Sequence, residues 1–166
     1  MRWAGVPVIL MLLLIPATAS AQGPEGKSFG LGISLGEPAG LSAKYWIDRR
    51  STLDFALGFG YWPHHGFALY CDYLFNAITL MPAGRAPFSF LFYLGLGAKL
   101  GFWDHDADHD HYDAVGLGVR IPFGITMVFS RHPFDVFLEV APVMAFIAPD
   151  PFWFDFDAAI GARFYF

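Results

Sequence analysis

From Trp153 to Phe166 the chain alternates without a break. One face carries Phe154, Phe156, Ala158, Ile160, Ala162, Phe164 and Phe166. The other carries Trp153, Asp155, Asp157, Ala159, Gly161, Arg163 and Tyr165. Period two marks a β-strand whose faces meet different surroundings. The pattern recurs upstream. Leu53, Phe55, Leu57, Phe59 and Tyr61 oppose Asp54, Ala56, Gly58 and Gly60. Phe88, Phe90, Phe92, Leu94, Leu96, Ala98 and Leu100 oppose Ser89, Tyr93, Gly95, Gly97, Lys99 and Gly101. Val115, Leu117, Val119, Ile121 and Phe123 oppose Gly116, Gly118, Arg120 and Gly124.

Turn residues cut the chain into eight such segments, near 29–36, 41–47, 53–61, 67–75, 88–102, 115–128, 134–146 and 154–166. Gly, Pro, Asp and Ser gather between them, and Asp104–His111 reads as a loop. Charges inside the segments fall opposite the continuous apolar face. A charge at the bilayer midplane costs roughly 2–4 kcal/mol, so this is the segregation that lipid imposes. A soluble barrel reverses it, with an apolar interior and a charged exterior. The second face is rich in glycine, which suits a narrow interior where facing side chains interlock. The expected fold is all-β: an eight-stranded antiparallel up-and-down transmembrane β-barrel.

Composition fits that reading. Hydrophobic residues make up 55% of the chain and charged residues only 15%, against about 25% charged in soluble domains. Past residue 21, no run of roughly 18 apolar residues survives without Gly, Pro or a charge, which excludes a spanning helix. Met1-Arg2, the apolar run Val6–Ile15 and the small residues Ala19 and Ala21 form a secretory signal peptide over residues 1–21. Residues 22–166 remain as the barrel domain. The single Cys71 cannot form an internal disulfide and falls on the apolar face.

If Phe166 lies at the periplasmic rim, Lys27, Arg49, Arg50, Arg85 and Arg131 gather at that end. The opposite end holds the acids of the loops Glu37–Gly40, Trp62–Gly66, Asp104–His111 and Ala148–Pro151. The net charge of -5 is then mostly an outward acidic cap, not a nucleic-acid surface. The polar face carries Lys44, Lys99, Arg120 and Arg163 against Asp54, Asp72, Asp135, Glu139, Asp155 and Asp157. Inside a small barrel these must pair with one another, filling the lumen.

The densest chemistry is Trp103–His111, where His105, His109 and His111 alternate with Asp106, Asp108 and their acidic neighbours. Imidazole with carboxylate suits zinc, copper or nickel. His64 and His65 fall on a loop at the same end. A solvated acidic loop touching lipopolysaccharide through divalent ions is the other reading, and no resident cofactor is implied. Catalysis needs a nucleophile beside a base. Ser130 and His132 share a turn at the periplasmic end, while Ser42 and Ser89 point inward without a neighbouring His. No enzymatic activity is expected.

The signal peptide, eight amphipathic strands and terminal Phe together resemble the small eight-stranded bacterial outer-membrane barrels of the OmpA and OmpX class. The stretch Gly32-x-Ser34-x-Gly36-Glu37-Pro38-x-Gly40-Leu41-x-x-Lys44-Tyr45-Trp46, followed by Leu53-Asp54-Phe55-x-Leu57-Gly58, is similar to the first hairpins of an uncharacterised family of such barrels. The resemblance implies a bacterial outer-membrane location and no catalytic residues. It also implies that Phe164 and Phe166 form the signal read by the barrel assembly machinery. The expected role is structural or surface-interactive, as a monomer among outer-membrane lipid and lipopolysaccharide. A surface metal- or ligand-binding barrel is the alternative.

Overall fold

The computed structural model describes residues 23–60, 66–80, 87–107, 110–146 and 152–166, with 103–107 and 110–114 described through the backbone alone. The expected signal peptide, Arg85, and the histidines His64, His65 and His109 lie outside the described residues, as does Asp108. A short 3-10 turn, Pro24–Gly26, leads into nine strands: β1 (Phe29–Gly36), β2 (Ala39–Trp46), β3 (Ser51–Gly60), β4 (Gly66–Thr79), β5 (Phe88–Ala107), β6 (Asp110–Arg120), β7 (Phe123–Phe129), β8 (Phe134–Phe146) and β9 (Trp153–Tyr165).

Strands adjacent in sequence pair antiparallel, except β6 with β7, and β1 pairs with β9 from Gly30↔Tyr165 to Gly36↔Ala159. The ring is therefore closed. Strands β6 and β7 both pair with β5 on one side and β8 on the other. They form one stave, so the barrel has eight staves, as the segment count predicts. The segment expected as a single strand over 115–128 is broken at Ile121-Pro122. Proline has no N–H to give to a ladder. The neighbours compensate: the Gly95 N–H donates to the Pro122 carbonyl at 2.7 Å, and the Ile121 N–H to the Pro142 carbonyl at 3.1 Å. Closure joins the first strand to the last, so the ring itself has no open edge, which is the condition for a sheet to stand in hydrocarbon.

Two further expectations change. The segment 104–111, read as a loop, is mostly paired strand, from Asp104↔Asp113 to Ala107↔Asp110. Backbone ladder bonds do not depend on side-chain polarity, so the β5–β6 hairpin continues past the last apolar residue. Trp153, assigned to the inner face, is exposed at the start of β9, where the strand is paired on one side only, with Ala145 of β8. Turns follow local chemistry. In the β2–β3 turn the Arg50 and Ser51 N–H groups donate to Asp48 Oδ1 at 2.7 and 2.8 Å, an Asx-type turn. Those bonds hold the Asp48 carboxyl below the usual carboxylate range. Gly36, with φ of +132°, starts the tight β1–β2 connection, where a side chain would be strained.

The exterior is apolar along each stave. Leu35, Leu41, Leu96, Val115, Ile121, Leu138 and Ile160 all point out of the barrel. At each rim the outer surface carries phenylalanine pairs. Phe88–Phe90, Phe129–Phe134 and Phe164–Phe166 lie at the end bearing the basic turns, and Phe59–Phe67 and Phe146–Phe152 at the other. Aromatic girdles bounding an apolar band are the mark of a barrel that crosses a bilayer. Among the described residues no helix is long and apolar enough to cross a membrane, and the strands do the crossing. Ile121→Arg, on the outer face about halfway along its stave, is expected to cost roughly 2–4 kcal/mol. Gly118→Ala should cost less, because the added methyl needs only a slight yield from Val143 Cγ1, 3.0 Å away. Urea titration of the two variants folded into lipid vesicles checks the ranking.

Candidate functional site: the charged lumen

Strand parity turns Lys44 of β2, Asp54 of β3, Asp72 of β4, Lys99 of β5, Arg120 of β6, Asp135 and Glu139 of β8, and Asp157 and Arg163 of β9 into the barrel, where all are buried. Several share one cross-strand row. Lys44 pairs with Asp54, Asp54 with Asp72, Asp72 with Gly97, and Gly97 with Arg120. Glycine is required at position 97. A Cβ there would run into the Asp72 carboxylate and the Cys71 carbonyl oxygen. Its absence lets Asp72 reach toward Arg120, whose Nε lies 3.5 Å away.

The cations organise three linked centres along the axis. Near the basic end, Arg163 donates from Nη2 to Asp54 Oδ2 at 2.7 Å and from Nε to Ser42 Oγ at 2.8 Å. Its guanidinium lies 3.8 Å from the centre of the Phe137 ring, and Nη1 is 3.8 Å from Asp135 Oδ2. The Tyr165 hydroxyl donates to that same Asp135 oxygen at 2.6 Å. Gly161 makes the stack possible, since a Cβ there would meet the Phe137 ring. In the middle, Arg120 donates to Glu139 Oε1 at 2.7 Å and sits 3.7 Å over the Tyr70 ring. The Tyr93 hydroxyl donates to Glu139 Oε2 at 2.8 Å, and Lys44 Nζ lies 4.9 Å over the Tyr93 ring. Toward the acidic end, Lys99 Nζ donates to Asp157 Oδ1 at 2.5 Å, with Glu37 at 3.7 Å and Asp155 at 3.9 Å. Asp157 links the last two centres, because its Oδ2 is 3.7 Å from Arg120 Nη1.

Desolvation of buried charges roughly offsets their attraction, so this network adds little net stability over an apolar filling. Its consequence is geometric. Planar guanidinium forks and aromatic faces lock the side chains across the ring and fill the space between staves. Among the described residues, no serine or threonine hydroxyl is hydrogen-bonded to a histidine. Ser42 accepts from Arg163, and Ser34 donates to the Pro38 carbonyl at 3.1 Å.

A family model described as "Protein of unknown function (DUF3996)" matches residues 24–164. The chain belongs to this family. No curated protein matches it. Among solved structures it is similar to the N-terminal beta-barrel domain of Pseudomonas aeruginosa OprF, at 15% identity and a TM-score of 0.64, over 87% of this chain and 100% of that one. At that identity the likeness shows the fold: an all-β antiparallel barrel.

Every lumen charge read from the sequence lies inside, with Asp155 half-buried at the mouth. Sequence reasoning missed their partners Tyr70, Tyr93, Phe137 and Tyr165. It also placed Glu37 in an outer loop, whereas its carboxylate turns in toward Lys99. The inward parity of Tyr93 and Tyr165 was visible, but strand order alone does not say which side chains meet across a sheared ring. Of the expected metal ligands, His105 and Asp106 fall on β5 and His111 on β6, with Asp106 paired to His111 and His105 to Tyr112. Phe164 and Phe166 lie on the outer face with rings 5.2 Å apart, and the Phe166 N–H donates to the Phe29 carbonyl at 2.8 Å. Arg163→Met leaves Asp54 and Asp135 buried without their cation and is expected to cost about 3–5 kcal/mol. Adding Asp54→Asn should recover part of that loss in urea titrations of the lipid-folded barrel.

Proposed function

We propose that this protein is an integral outer-membrane barrel of a bacterium with a structural or surface-interaction role and no enzymatic activity. One observation carries the reading: among the described residues, an apolar wall surrounds a lumen whose buried charges engage one another along the axis. The wall needs lipid, and the large buried side chains of the network occupy the lumen between the staves. Signal peptide 1–21 exports the chain, the assembly machinery reads Phe164 and Phe166, and the barrel stands as a monomer among lipid and lipopolysaccharide. The basic turns Asp48–Ser51 and Ser130–Pro133 then face the periplasm, and the β5–β6 hairpin faces outward.

Two measurements test this. In planar bilayers the folded protein should show no steady conductance, and a persistent open channel at every insertion would contradict a filled lumen. Removal of Phe166 should lower the amount reaching the outer membrane and raise periplasmic aggregate, while the purified, refolded variant keeps nearly its full stability. Normal membrane yield of the shortened chain would refute the assembly role.

A second reading is a divalent-metal site on the outward hairpin, using His105, His109, His111, Asp106 and Asp108. The direct pairing of Asp106 with His111 favours it, since cross-strand partners stand roughly 4.5–5.5 Å apart. Zinc or nickel binding should weaken below about pH 6, as imidazole takes up its proton. Calorimetry on folded protein against His105→Ala/His109→Ala/His111→Ala should show the loss; equal binding by both removes this reading.

A further inference from the structure

The outer wall is not uniformly smooth. Near the end bearing the basic turns, Ala162 lies between Ile160 and Phe164 on the outer face of β9. It pairs with Ile33 of β1 and Val136 of β8. The small side chain leaves an open groove of about 530 Å³. Ala162 lines it together with Leu31, Ile33, Phe134 and Phe164. The turn residue His132 closes its end.

Basic side chains flank that end on both sides. Lys27 precedes β1, with Nζ 5.6 Å from the centre of the Phe164 ring and donating to the Tyr165 carbonyl at 3.2 Å. Arg131 and His132 precede β8 and are exposed. β1 and β8 are the two neighbours of β9, so the cations stand either side of the groove. Neither Lys27 nor Arg131 is ion-paired with a described carboxylate. Phe134 and Phe164 are themselves members of the aromatic girdle, so the cations sit at headgroup level.

We propose that this groove seats an acyl chain of one anionic phospholipid, whose phosphate is met by Lys27, Arg131 and His132. The proposal rests on the outer wall facing lipid. The groove opens onto the apolar band, so its occupant needs a hydrocarbon part lying along the wall. The cations at its end select a negative headgroup, because juxtamembrane basic residues attract anionic lipid.

The test uses the folded chain in bilayer nanodiscs of phosphatidylglycerol and phosphatidylcholine, equal in amount and identical in acyl chains. Release into mild detergent and native mass spectrometry then count retained lipid. One phosphatidylglycerol should remain on the barrel, with several-fold preference over phosphatidylcholine. Ala162→Phe fills the groove from the lipid side and should abolish retention. Ala158→Phe, on the same face but toward the acidic end, should leave it unchanged. Lys27→Gln/Arg131→Gln/His132→Gln, all outside the strands, should erase the headgroup preference. Equal retention of both lipids by the unmodified protein, or equal phosphatidylglycerol retention by the two Phe variants, overturns the site while leaving the membrane barrel intact. A dimer that disappears in Ala162→Phe assigns the groove to a second copy and also overturns it. Failure to enter the bilayer overturns the membrane reading and the lipid site together.

Discussion

Hydrocarbon accepts neither an unpaired backbone group nor a charge, and the rest of the structure answers to that constraint. The backbone condition is met by the β1–β9 pairing, which closes the ring. The side-chain condition is met by parity, which sends the charges lying within the apolar band to the inner side. The two solutions depend on each other. Parity has meaning only if register holds, since a slip of one residue would turn Arg120 and Lys99 into lipid and Ile121 and Leu100 into the lumen.

Moving the charges inside creates a second constraint. The lumen of an eight-stranded barrel is narrow, and its side chains must both fill it and neutralise one another. Two arginines meet this by sitting over aromatic rings while their forks hold carboxylates. Glycines 97 and 161 yield the space. The network consequently acts as a register lock: Asp54, Asp72 and Arg120 lie in one cross-strand row, and a slipped strand would leave a buried charge without its partner. The strength of such a lock lies in the cost of breaking it.

Much of this was legible in the sequence, and for a simple reason. Period two is a local property, so β1 and β8 have the bounds that alternation predicts. The Pro122 break was hidden because Ile121 and Phe123 keep the same outward parity across it. The outward extension of the β5–β6 hairpin was hidden because its apolar marking stops at Phe102 while its backbone pairing does not. Lumen partners were beyond reach for a different cause. Which side chains meet across the ring depends on the stagger of the staves, and no single segment encodes that. Glu37 shows the same limit: its place at the end of β1 was legible, but not its tilt toward Lys99. The groove over Ala162 likewise belongs to three strands at once.

The assignment of outer and inner faces can be tested with the chain's own cysteine. Cys71 lies on the outer face of β4, paired with Phe55 and Ala98, and it is the only cysteine in the sequence. A nitroxide attached there, with the protein folded in lipid vesicles, should collide freely with oxygen dissolved in hydrocarbon and be shielded from a water-soluble nickel chelate. Ready relaxation by the chelate, with little response to oxygen, would place that face in water and contradict the membrane barrel.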